Sequence, residues 1–249
     1  MSQPEPAQPT DPADPSAPSA IHLRPTADLA ERVLLPGDPG RALALAQTLI
    51  AKPRMFNHHR GLWGYTGPAH ADGEPLTIQS TGMGGPSAAI VLHELISLGV
   101  RRAIRVGTCG ALHPDLALGD LVIARTSICL DGTSRAFGCG ERVLADPGLT
   151  DALRSAAPTV RAGAIVSVDL FYDDSPLPDT ASDALAIEME AATLFAVGSR
   201  ADVPVACVLA VSDTFDAHGA RTHIDEHTLP AAAESMGAVA VTALGAAKT

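Results

Sequence analysis

Cationic side chains are in short supply: 17 Lys and Arg stand against 28 Asp and Glu, a formal net charge of −11. So acidic a chain is a poor tracker of nucleic-acid phosphates, although local basic sites for a small anion remain open to it. Cysteine is sparse as well. The four present, Cys109, Cys129, Cys139 and Cys207, form no CxxC pair and read as reduced thiols of a cytoplasmic protein. No run approaches the roughly 20 apolar residues that span a bilayer. No charged segment followed by an apolar core opens the chain, so a signal peptide is not expected. Neither membrane nor nucleic acid is an expected partner.

Apolar residues, by contrast, make up 46% of the 249 and charged ones only 18%, which suits one large globular domain. Proline is concentrated at the start, with six in residues 1–20 among Ala, Ser, Asp and Gln. That segment cannot bury enough apolar surface to offset its ordering entropy and is expected to be a disordered tail. The ordered domain is expected over 21–249.

Strands and helices then alternate. Strand-like runs are read at 32–38, 76–82, 102–112, 120–130, 162–171 and 203–213, and helical runs at 40–51, 86–100, 186–201 and 226–247. Continuous apolar strands alternating with helices predict an α/β fold whose sheet is covered on both faces. Three strands end in glycine-bearing turns: Gly37 to Arg41, Gly82 to Ser87, and Gly107 to Gly110. Ligands of open α/β sheets sit beyond strand carboxyl ends, where turns offer backbone N–H groups to an anion. Arg41 follows the first turn and Arg105 precedes the third, and guanidinium binds phosphate oxygens bidentately. None of these turns is a P-loop, and any one of them taken alone reads as a simple tight turn.

The segments LLPGDPGR, STGMGGPSAAIVLHEL, IRVGTCGAL and IEMEAATLF, in this order, resemble the nucleoside phosphorylase family that includes hexameric bacterial purine nucleoside phosphorylase and uridine phosphorylase. The resemblance runs from about Ile21 to the last helix. It implies a single α/β domain of three αβα layers around a central twisted mixed sheet. It further implies that Gly37, Arg41, Arg105 and Thr108 bind phosphate. Arg60 and His22 would be lent across a subunit interface, to a neighbour's phosphate and ribose 5′ end respectively. Met83, Glu188, Met189 and Glu190 would contact ribose, with Glu190 taking the 2′ and 3′ hydroxyls. Cys109, Gly110 and Phe171 would hold the base, and Ser212 and Asp213 would face a purine.

The reaction so implied is phosphorolysis, in which phosphate displaces a purine from ribose C1′ through an oxocarbenium-like transition state. It needs a stabilised sugar cation and a protonated leaving group. Arginines and Thr108 would position the phosphate, Glu190 would fix the sugar, and Asp213 would donate a proton to purine N7. An ordinary aspartate ionises near pH 3.9, so Asp213 has to be raised or to receive its proton late. Arg221 is the one arginine downstream that could assist it, at a spacing unlike the family's. The Gln and Arg with which uridine-cleaving members grip uracil after a Phe-Tyr pair have no counterpart after Phe171-Tyr172.

The expectation is thus a cytoplasmic purine nucleoside phosphorylase with inorganic phosphate as co-substrate, no other cofactor and no metal. A dimer would be its smallest active unit and a hexamer its full assembly. A uridine or methylthioadenosine phosphorylase, or a catalytically silent nucleoside binder, are the alternatives. Other candidates read as structural. His93-Glu94 is expected as a surface pair on a helix, and Arg101-Arg102 as a solvated loop. His223 and His227, four apart, read as a solvated helix start rather than a metal site.

Overall fold

Along the long central strands, alternate side chains are apolar on both sides, so the sheet must be buried on both faces. The computed structural model describes residues 20–173, 175–216 and 219–246. Residues 1–19 of the expected tail lie outside the described residues. The element order is β1 (Arg32–Leu35), α1 (Pro39–Leu49), β2 (Arg54–Asn57), β3 (Gly64–Pro68), β4 (Pro75–Gln79), α2 (Gly85–Ser97), β5 (Arg102–Ala111) and β6 (Leu121–Cys129). Then come α3 (Gly132–Ala136), β7 (Arg142–Leu144), α4 (Pro147–Ala156), β8 (Arg161–Ser167), β9 (Ala184–Glu188), α5 (Ala191–Ala201), β10 (Val205–Phe215), β11 (Arg221–His223) and α6 (Thr228–Ala246).

The strands form one mixed sheet in the order β11-β10-β6-β8-β9-β5-β1-β4-β3-β2, with β7 beside β6. Because β10 also pairs with β5, strands β5, β10, β6, β8 and β9 close into a ring. On β10, Val205, Cys207, Leu209 and Val211 join the core under α2 and α5. Ala206, Val208 and Ala210 point the other way, into the core under α1, α4 and α6. The three-layer α/β expectation therefore holds, with a closed ring of strands at its centre.

Strands β1, β4, β5 and β10 run parallel to one another. Their carboxyl ends therefore emerge on one side, and the glycine turns after β1, β4 and within the end of β5 gather there with Ser212-Asp213. Each α1, α3 and α4 start is capped by an aspartate, Asp38, Asp131 and Asp146 in turn, satisfying amides that a helix leaves unpaired. α6 is 19 residues long and, by length and composition alone, apolar enough to cross a membrane, which qualifies the expectation that no run comes close. Here its Met236, Ala240, Val241 and Leu244 are buried in the second core.

Candidate active site

At the carboxyl ends of the parallel strands lies a cleft of about 690 Å³, within the range of small-molecule sites. One wall is built by the first and third glycine turns. Asp38 accepts the Arg41 amide at 2.6 Å and so starts α1 beside the cleft, aiming the positive end of the helix dipole into it. Gly37 and Arg41 line the cleft from this corner, Thr108 from the facing turn. Burial draws the Arg41 guanidinium below its usual range against the upward pull of Asp38, a cation short of partners.

Arg105 is buried within β5. Its guanidinium folds back over Gly107, where a side-chain carbon would stand 2.6 Å from the guanidinium carbon. A side chain there would push the guanidinium away from Glu188 and Glu190. Arg105 Nε donates to Glu188 Oε2 at 2.9 Å and Nη2 lies 2.5 Å from Glu190 Oε2. Nη1 is buried and makes no hydrogen bond among the described residues. Burial acts to lower the Arg105 pKa, but Glu190 and Glu188 more than offset it, and the cation is held firmly protonated.

The two carboxylates expected at the sugar differ in their freedom. Glu188 accepts from Arg105, from the Ser167 hydroxyl and from the amides of Glu190 and Ala191 at the start of α5. Burial pushes its carboxyl upward, with Arg105 opposing. Glu188 thus satisfies amides at the start of α5 and anchors Arg105. Glu190 accepts the Gly84 amide at 2.6 Å and Arg105. Gly84 has a φ of 84°, a left-handed backbone that points its N–H at Glu190 and suits glycine. Met83 and Met189 line the cleft beside them, Met83 being largely exposed.

At a further wall, the pairing of β10 with β5 slips between Val211 and Asp213. Such a bulge re-aims side chains beside sites. Cys109, Gly110, Phe171, Ser212 and Asp213 all line this wall. Cys109 is buried and its thiol is held neutral by that burial. Asp213 Oδ1 accepts from Arg221 Nε at 2.6 Å and lies 2.7 Å from His223 Nδ1, while Ser212 Oγ lies 2.7 Å from Oδ2. Burial alone would raise the Asp213 carboxyl, yet the hydrogen bonds from Arg221, His223 and Ser212 together bring it below the usual range. Of the two expected routes, a raised carboxyl or a proton received late, the first does not hold and the second remains. Asp213 is an anion at rest, so a proton must reach it from elsewhere. Arg221, whose role the spacing left open, also stacks 4.3 Å over the Phe171 ring.

His223 was missed, having been read as a helix start. It lies in β11, directly opposite Asp213 in an antiparallel pair, and among the described residues no group of three His, Cys, Asp or Glu could hold a metal. Only a register for β11, a three-residue strand with no apolar alternation, would have exposed the pairing.

His22 and Arg60 do not line the cleft of their own chain. Arg60 is exposed and adopts a φ of 60°, a strained backbone that costs a non-glycine residue about 1–2 kcal/mol. His22 Nδ1 lies 2.7 Å from Glu94 Oε1, and Glu94 also accepts the amides of Ile21, His22 and Leu23. Glu94 is therefore a buried anchor, not the surface residue expected. Arg102 likewise opens β5, half-buried, rather than lying in a solvated loop. A smaller groove of about 330 Å³ between the β7–α4 corner and α5 gathers no comparable set of charges.

Residues 31–245 match the family described as the phosphorylase superfamily. The chain is 37% identical over 198 residues to a protein of Geobacillus kaustophilus named DeoD-type purine nucleoside phosphorylase, covering 76% of this chain and 83% of that one. A protein of the same name from Caldanaerobacter subterraneus subsp. tengcongensis is 37% identical over 199 residues, 75% and 84% of the two chains. A third, from Thermoanaerobacter sp., is 35% identical over 201 residues, again 75% and 84%.

Proposed function

Because the chain belongs to the phosphorylase superfamily, we propose that it is a purine nucleoside phosphorylase, releasing the base and (deoxy)ribose 1-phosphate from a purine (deoxy)nucleoside and inorganic phosphate. The relatives' names support the purine substrate. The observation that carries the reading is one cleft with cations at one end and Asp213 at the other.

Phosphate enters at Gly37, Arg41 and Thr108, where a helix start, a desolvated arginine and backbone amides replace its hydration. The unpartnered Arg105 Nη1 supplies one more donor. Glu190, loosened from Gly84, takes the ribose hydroxyls, and Met83 and Met189 pack on the sugar. Phe171, Cys109 and Gly110 flank the base, and Asp213 passes a proton to N7 as the glycosidic bond breaks. Arg221 holds that carboxylate in place. Arg60 and His22, away from their own cleft, complete a neighbour's, so the active unit is a dimer, assembled into a hexamer. A cytoplasmic location belongs to the same proposal, supported by four cysteines without paired spacing.

The test is base release from inosine, adenosine, methylthioadenosine and uridine with and without phosphate. The expected outcome is phosphate-dependent release from inosine or adenosine. Preferred cleavage of uridine overturns the purine assignment, release without phosphate makes the protein a hydrolase, and binding without release makes it a silent binder.

A further inference from the structure

Three groups donate to Asp213, and they differ in what they can give away. Arginine does not release a proton in proteins, and a serine hydroxyl is far too weak an acid. Imidazole is the side chain that takes up and releases a proton near neutrality. Of the three, only His223 can therefore restore a proton to Asp213.

The register explains how the residue comes to be there. Asp213 pairs with His223 and Phe215 with Arg221 across the β10–β11 ladder. Alternate positions share a face, so Asp213, Phe215, Arg221 and His223 all project from the same side. Asp213 and Arg221 line the cleft, but His223 does not. Its side chain keeps 63% of its surface in solvent while Nδ1 sits 2.7 Å from the buried carboxylate. One end of the imidazole thus faces water and the other faces Asp213. The charged groups at that contact are Asp213 from β10 and Arg221 from β11, the strand of His223 itself, which shares the Oδ1 oxygen at 2.6 Å. Tyr172, from the loop after β8, acts in turn on Arg221.

We propose that His223 is the proton source for base departure, relaying a proton from solvent through Asp213 to the purine. This rests on the phosphorolysis reading above. As the C1′–N9 bond breaks, its electron pair stays with the base. The proton on His223 Nδ1 moves to the Asp213 carboxylate and is handed on to N7. A phosphate oxygen forms the new bond to C1′. The carboxylate is regenerated, and the neutral imidazole is reprotonated from its exposed side. The proton carried in by monohydrogen phosphate, and lost to solvent when the sugar phosphate forms, balances the one gained by the base. Asp213 can then stay an anion at rest and still deliver a proton, which removes the conflict between its lowered pKa and its task.

The experiment compares inosine with 7-methylinosine, whose base already bears the positive charge and needs no proton. The variants are His223→Gln, which keeps a hydrogen-bond donor but has no ionisable proton to pass on, and His223→Ala. Both are expected to lower kcat on inosine about 10- to 100-fold with KM little changed, in line with a lost acid. Turnover of 7-methylinosine should stay within about twofold of wild type by the same reasoning. Wild-type kcat on inosine is expected to fall toward alkaline pH, that fall should flatten in His223→Gln, and added imidazole should revive His223→Ala. Wild-type kcat in His223→Gln, or equal losses on both substrates, overturns the relay and leaves His223 a structural partner of Asp213. If wild-type protein cleaves neither nucleoside in phosphate, the phosphorolysis reading falls and the relay falls with it.

Discussion

Arg105 is the residue whose surroundings are most demanding. It is buried between two carboxylates, Glu188 and Glu190, and folds over a glycine that leaves it room. Removing one partner of such a group leaves uncompensated buried charge, which costs about 3–5 kcal/mol. Arg105→Met should therefore lower the thermal or denaturant midpoint strongly, and a second change, Glu188→Gln, should recover part of the loss. The pH dependence has a definite sign. Burial already pushes the Glu188 carboxyl up and Arg105 opposes it, so without Arg105 the folded chain binds more protons than the unfolded one across the acid range. Stability then falls as pH rises through that range. A variant whose midpoint is insensitive to pH there would show that the carboxylates find another partner. Asp213 obeys the opposite sign, being held down by its donors. The sequence made its position legible, at the end of an apolar strand beside a serine, but not its charge. Charge depends on Arg221 and His223, which reach it only through strand pairing.

Among the elements, α2 has a second task beyond covering the sheet. Glu94 on its inner face accepts Ile21, His22 and Leu23 and so fixes the chain before β1. Burial alone would raise the Glu94 carboxyl, but His22 and the three amides bring it below the ordinary range. That anchoring is complete above the ordinary carboxylate range and is lost as pH falls through the lowered value. Glu94→Gln should cost about 1–3 kcal/mol, as expected for donors to a charged acceptor. Amide exchange at 21–23 should quicken while exchange in the rest of α2 is unchanged. Unaltered exchange at 21–23 would mean that the segment is held elsewhere. The long apolar strands β5, β6, β8 and β10 and the helices α1 and α2 were legible to within a few residues, whereas the helix read at 186–201 begins only at Ala191, after β9. The ribbon of β2 and β3 and the short β7 and β11 were not. Arg54-Met55-Phe56-Asn57 alternates too weakly, and three residues carry no period at all.

Taken whole, the molecule gathers nearly every expected site residue into one cleft but leaves two outside it. His22 and Arg60 lie away from their own cleft, which a borrowed-residue dimer requires. Mixing an Arg60→Ala protein with an Asp213→Asn protein, each nearly inactive, tests this. After dissociation and random reassembly, about one site in four should be intact, built from a sound cleft and a partner's sound arginine. No recovery would mean that Arg60 serves its own chain. The three-layer α/β architecture was legible from the alternation of elements. The closing of five strands into a ring was not, since a strand paired on both sides reads the same in an open sheet as in a closed one.

That ring gives β10 neighbours on both sides along most of its length, but past Leu121 its outer neighbour becomes β11, three exposed residues at the sheet edge. Edge segments with so few pairings open at low free energy, well before the sheet as a whole. When β11 lifts away, Arg221 and His223 leave Asp213 together, its carboxyl rises toward the burial-driven value, and one wall of the cleft goes with them. On the phosphorolysis reading, acid strength at the base and passage of the base in and out would both depend on the β10–β11 pairing. A bound purine that steadies Arg221 would slow its own escape while keeping the carboxylate charged.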